Sequence, residues 1–188
     1  MTSMQVAQRM TADEYLAIDR EDQRTQLIDG EIVMSEPTML HQVLHGRLFA
    51  TLHAWLCCGE RRGLVVSPLD VRLDDHDVYA PDLLWYSAPR TPAIHAPRPY
   101  PLPDLAIEIR SPSTWRYDIG AKKSGYERRG LPELWLVDGD AGVLLAFRRS
   151  APAATTFDVA LELDRSATLA SPLLPGFALD VGELFDLG

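Results

Sequence analysis

Cysteine, basic charge and long apolar runs are all scarce in this 188-residue chain. Its two cysteines, Cys57 and Cys58, are neighbours, a spacing that closes no useful loop and fits ordinary disulfide geometry poorly. A disulfide scaffold is excluded and a reducing compartment is expected. No segment approaches the roughly 20 consecutive apolar residues of a membrane span. The first 20 residues mix Gln, Arg, Thr, Asp and Glu without the apolar centre of a secretion signal. The expectation is a cytoplasmic protein that does not enter a membrane. Lys and Arg number 18 against 27 Asp and Glu, giving a formal charge of -9. That balance argues against a protein that binds nucleic acid through its whole surface, because such binders neutralise phosphates with Lys and Arg. Any such contact must be local, and basic residues do gather from Arg110 through Arg116 and Lys122-Lys123 to Arg128-Arg129.

What is present suffices for one compact domain over residues 1–188, with 46% hydrophobic residues to bury. Thr11 precedes acids and reads as the N-cap of a short helix over residues 11–19. Residues 26–34 read as two short strands around an Asp29-Gly30 turn, a strong local hairpin signal. Apolar residues 40, 43, 44, 48, 52, 55 and 56 recur at helical spacing and predict a helix over 40–56. Strands are predicted over 63–73 and 78–86, with Asp74 to Asp77 turning between them. Six prolines between Ser87 and Pro103 exclude regular structure there and predict an ordered surface loop or flap. A strand over 105–109, stopped by Ser111-Pro112, precedes a helix over 114–129, capped by Ser113 or Thr114 and closed by Gly130. A hairpin over 134–138 and 143–148 and weaker strands around 157–163 complete an α/β pattern.

Two acids stand out because each falls inside an otherwise apolar segment: Asp82 in Ala-Pro-Asp-Leu-Leu and Glu108 in Leu-Ala-Ile-Glu-Ile-Arg. A half-buried carboxylate costs stability unless a cation or donors compensate it, so two on neighbouring strands suggest a shared metal. Strand alternation puts Glu108 and Arg110 on one face and offers the Ile109 carbonyl as a further oxygen. This hard oxygen set favours Mg or Mn. Asp118, Lys122 and Tyr126 are spaced four apart and share one helix face, so that Lys122 could offset charge building on a phosphoryl group.

Taken together, Pro81-Asp82, Glu108-Ile-Arg-Ser-Pro-Ser-Thr114, Asp118-Ile-Gly-Ala-Lys122, Tyr126 and Gly130-Leu-Pro-Glu-Leu-Trp-Leu-Val-Asp138 resemble the Uma family of restriction endonucleases within the PD-(D/E)XK superfamily. Leu27-Ile-Asp-Gly-Glu-Ile-Val, His41-Gln42 and Pro68-Leu-Asp-Val-Arg-Leu73 add to the likeness, which covers about residues 12 to 148. The resemblance implies a restriction-endonuclease-like core, a mixed central β-sheet flanked by helices, that hydrolyses nucleic-acid phosphodiesters, DNA first. It also implies Asp82 and Glu108 as metal ligands, with Lys122 as the catalytic lysine moved from strand to helix. Where the family often has Glu, this chain has Gln26, which removes a third acid from the metal's neighbourhood. Arg110 stands at the superfamily's usual lysine place and competes with Lys122 for that role.

Other readings stay open from the residues alone. Asp82 and Glu108 could pair with Arg72 or Arg110 in a structural ion network. They could also act as an acid and base pair without metal. Lys122 alone would be a solvated helix residue, Asp118 its pairing acid and Tyr126 a core ring. His41 and His45, four apart, have zinc-ligand spacing, but no third ligand is evident, and Gln42 could reach the active site from the same helix. Cys57-Cys58 and Trp85 and Trp135 read as buried packing. A nuclease fold retained only to bind nucleic acid or protein is the rival function. A homodimer would suit an enzyme that cuts both strands.

Overall fold

The computed structural model describes residues 9–18 and 25–187. Helix α1, Ala12–Ala17, starts at Thr11, whose hydroxyl accepts from the Glu14 amide while the Glu14 carboxylate accepts from the Thr11 amide, a reciprocal cap. Asp19, the last residue of the predicted helix, lies outside the described residues. Strands β1, Thr25–Ile28, and β2, Glu31–Met34, pair antiparallel around Asp29 and Gly30. Both turn residues have positive φ (52° and 78°), as a type I′ hairpin turn requires. Helix α2, Met39–Cys57, buries Leu44, Leu48, Leu52 and Trp55 along one stripe.

The next two predicted strands are each broken in two. Residues 63–73 become β3, Leu64–Val66, and β4, Val71–Arg72, while residues 78–86 become β5, Val78–Tyr79, and β6, Leu83–Tyr86. The breaks fall at Ser67-Pro68 and Ala80-Pro81-Asp82, since proline lacks the N–H that a continuing ladder needs. Each break carries the chain between two sheets. The smaller is antiparallel in order β2-β1-β5-β4. The larger has six strands, β3 and β6 joined by β7, Leu105–Ile109, β8, Glu133–Asp138, β9, Val143–Arg148, and β10, Val159–Leu163. Its order is β10-β9-β8-β7-β6-β3, and it is mixed, with β7 and β8 parallel.

A parallel pair needs a crossover, and here it is helical but not the single helix predicted over 114–129. Helix α3, Trp115–Tyr117, passes into a π-helical turn at Asp118–Lys122 and then into α4, Lys123–Arg128. Thr114 precedes α3 without a side-chain cap, because its hydroxyl donates to Asp118 instead, at 3.1 Å. The proline-rich loop holds only a 3-10 turn at Ala88–Arg90 and a bridge from Tyr100 to Val71. After β10 come a small ladder of β11, Thr168–Leu169, with β12, Leu179–Asp180, and helix α5, Val181–Phe185; sequence periodicity did not reveal these short pieces.

Alternation along β7 sorts the core. Leu105, Ile107 and Ile109 face α2 with Leu44, Leu48, Trp85 and Trp135. Ala106 packs on the opposite side with Tyr79, Tyr126 and Leu134, and Glu108 follows on that side. Trp85 and Trp135 are core residues as expected, but Cys57 and Cys58 are both exposed, not buried. They follow Trp55, where the stripe of buried residues 44, 48, 52 and 55 ends. Among the described residues no helix is long and apolar enough to cross a membrane.

Candidate active site

Asp82 lies not within a strand, as its apolar surroundings suggested, but in the break between β5 and β6. There it leaves the sheet ladder and its carboxylate reaches neighbouring elements. Oδ2 accepts the Ile109 amide at 2.7 Å, and Oδ1 is 3.1 Å from His41 Nε2. Its carbonyl is 3.2 Å from His45 Nε2. Two residues earlier, the Ala80 amide donates to Gln26 Oε1 at 2.9 Å. A cavity of about 220 Å³ opens here, lined by Gln26, His41, Gln42, His45 and Asp82 among others, with no lysine or arginine among its described lining residues.

Glu108 sits directly before Ile109 and is 3% exposed. Tyr126 donates its hydroxyl to Oε1 at 2.7 Å, and Lys122 Nζ lies 2.6 Å from Oε2. Lys122 also pairs with Asp118 Oδ1 at 3.0 Å. Asp118 Oδ2 accepts from the Thr114 hydroxyl, which is 2.7 Å from that of Ser111. The π turn brings Asp118 and Lys122 inward as a buried pair; such wide turns commonly mark functional sites. Gly125 allows the same helical segment to press on Tyr79, since a Cβ there would stand 2.5 Å from the Tyr79 hydroxyl.

Electrostatics make this cluster unusual. Burial above all, with the charges of Asp118 and Asp82 adding and Lys122 opposing, pushes the Glu108 carboxyl up to about 8. Asp118 is raised for the same first reason, burial. Burial alone would lower Lys122, but Asp118 and Glu108 outweigh it and hold the ammonium firmly charged. Glu108 and Asp118 pair with one buried ammonium, and the charge of Asp82 acts on both acids; once the acids ionise, the cluster carries an excess of negative charge that a divalent cation would offset. Asp82 and Glu108 supply the hard oxygen donors that Mg or Mn takes. Among the described residues no group of three or more His, Cys, Asp or Glu forms a metal cage. Two carboxylates with positions left for water and substrate are what a magnesium-type catalytic site offers. The residues fit such an ion.

Most of the expected site residues meet here. Asp82, Gln26 and Gln42 border the cavity; Glu108, Lys122, Asp118 and Tyr126 form the buried network behind. Lys122 is therefore no solvated residue, and Tyr126 brings its hydroxyl as well as its ring. Ile109 contributes its amide to Asp82. Arg110 does not join the cluster around Lys122. It lies past the end of β7, 2.7 Å from Asp138 and 3.5 Å from Asp140, over the Trp115 ring. Arg72 pairs with Asp13 and Asp75 and with neither central acid. The histidines 41 and 45 are not a zinc pair but partners of Asp82, a role their helical spacing signals only once Asp82 is placed.

A family model described as "Uma2: Putative restriction endonuclease" matches residues 12–182. No curated protein matches the chain. Among solved structures, the crystal structure of "a putative nuclease belonging to DUF820" from Anabaena variabilis ATCC 29413 is similar, with a TM-score of 0.78 at 20% identity. The match covers 94% of this chain and 97% of that one, and shows that the two share a fold.

Proposed function

The chain belongs to the Uma2 family of restriction-endonuclease-like proteins, and from that premise we propose that it is a metal-dependent endonuclease, a single cytoplasmic domain that hydrolyses DNA phosphodiesters. The observation that carries this reading is the meeting of Asp82 and Glu108. Although Asp82 lies in the bend before β6 and Glu108 in β7, the Asp82 carboxylate accepts the amide of the residue that follows Glu108. With the Ile109 carbonyl as a third oxygen, the two acids would hold Mg or Mn, which supplies an activated water and polarises the phosphoryl group. Tyr126 fixes one oxygen of Glu108, while Lys122 fixes the other and keeps a buried positive charge behind the metal-binding acids. Gln42, exposed at the cavity, is placed to touch substrate. The two free, exposed thiols suit a reducing compartment.

The direct test offers supercoiled plasmid, linear duplex and RNA to the purified protein with Mg, with Mn and with EDTA. Nicking of the DNA substrates with either metal and none with EDTA is expected. Cleavage that persists in EDTA, or none of any substrate with either metal, would overturn the proposal.

Metal binding should depend on pH through Glu108. Its carboxyl is raised from 4.5 to about 8 by burial, so the folded protein keeps a proton that the unfolded chain releases. The sign follows: the contribution of this group to stability is fully present below 4.5 and is lost as pH rises through about 8. Metal requires the ionised form, so Mn affinity should climb by up to about tenfold per pH unit below that range, with release of a proton. Calorimetry in buffers of different ionisation enthalpy measures both; affinity flat between pH 6 and 8 would contradict the assignment.

A further inference from the structure

Gln26, His41 and His45 lie on β1 and α2, far from Asp82 in sequence, yet all three act on the Ala80-Pro81-Asp82 bend. Gln26 Oε1 takes the Ala80 amide at 2.9 Å, His41 Nε2 meets the Asp82 carboxylate at 3.1 Å and His45 Nε2 meets the Asp82 carbonyl at 3.2 Å. We infer that these three side chains form a clamp whose task is to position Asp82 for a metal ion, and that they are positioning residues of the site. The inference rests on the nuclease reading given above.

Both histidine contacts end on oxygen acceptors, so each ring carries its proton on Nε2. The other ring nitrogen of His41, Nδ1, is buried with no hydrogen-bond partner among the described residues. An imidazole placed only to fill space would not retain an unpaired buried nitrogen, which costs desolvation without return. One helical turn separates His41 from His45, so a single rigid element holds the side chain and the main chain of Asp82 at once. The Ile109 amide holds the remaining carboxylate oxygen at 2.7 Å. Outer partners of this kind orient metal ligands, and their loss typically weakens metal affinity by roughly 10–100-fold. Gln26 also takes on a definite role. It needs only an acceptor oxygen, which an amide supplies as well as a carboxylate does, so a glutamine here does not mark a disabled site.

The test is Mn calorimetry without nucleic acid, which separates the clamp from any contact these residues make with substrate. His41→Ala, His45→Ala and Gln26→Ala should each weaken Mn by roughly 10–100-fold. His45→Gln and Gln26→Glu, which keep a donor and an acceptor respectively, should recover most of it. His53→Ala, an exposed histidine on the same helix, should bind Mn as wild type does. Melting in EDTA checks folding, and the two conservative variants stand in wherever an alanine variant fails to fold. Clamp variants that melt lower but bind Mn normally, while Asp82→Ala does not, would overturn the clamp and leave the nuclease reading intact. Complete loss in His41→Ala with normal binding in the other two would overturn it by making His41 a ligand itself. No Mn binding by the wild type would remove both readings together.

Discussion

Asp82→Ala is expected to abolish Mn binding and to lower DNA cleavage by more than about 100-fold, because no other described acid faces the cavity from the same bend. The fold should survive. The substitution leaves the Ile109 amide and His41 Nε2 without their acceptor, a loss of about 1–3 kcal/mol by the usual value of an unpaired buried donor, while the main-chain carbonyl that meets His45 remains. Asp82→Asn separates the two effects, since its amide oxygen can still accept from Ile109 while its charge is gone. Calorimetry and plasmid nicking on the wild type and both variants form the measurement. Retained binding in Asp82→Ala would move the metal away from this bend, whereas loss of binding with a melting temperature close to wild type would place it there.

Lys122→Ala should show its largest effect on stability. The lysine side chain is 1% exposed and the side chains of its partners Glu108 and Asp118 are 4% and 2% exposed, so solvent screens neither pair. Removing one member of a buried ion cluster typically costs about 3–5 kcal/mol, which for a chain of this size lowers the melting temperature by about 10 °C. The remaining acids would then face each other unneutralised, so Asp118→Asn in the Lys122→Ala background should recover part of the loss. Differential scanning calorimetry in EDTA measures both. A shift under about 2 °C would mean that Lys122 is not the neutralising charge of the cluster, and its proposed part in catalysis would fall with it.

The local elements were legible because their signals are local. Asp29-Gly30 marks a hairpin by backbone torsion alone, and the apolar period of α2 survives any tertiary context. The division into two sheets was not legible, since the alternating pattern runs on through Pro68 and Pro81 and only pairing partners reveal that the chain has changed sheets. Asp82 and Glu108 stood out because acids in apolar segments are costly wherever the segment goes. Arg110 misled because alternation assigns it to the face of Glu108 only if β7 continues; the strand stops, and Asp138 at the end of the neighbouring strand captures the guanidinium. His41 and His45 carried the right spacing for the wrong reason. Their partner is 41 and 37 positions away, beyond what a helical period can show. The membership of the family, by contrast, was readable from the combination of segments and holds over residues 12–182.

Both crossings between the sheets contain proline, and Pro68 and the Ala80–Asp82 bend both border the cavity. Proline holds its φ near about −65°, so the two posts of this doorway are stiff main chain. Proline fixes one torsion of each post, and Gln26, His41 and His45 hold the rest of the Ala80–Asp82 bend. Replacing Gln42, exposed at the cavity, therefore alters the chemistry at an opening of constant width, whereas replacing Gln26 or His41 also loosens the bend itself.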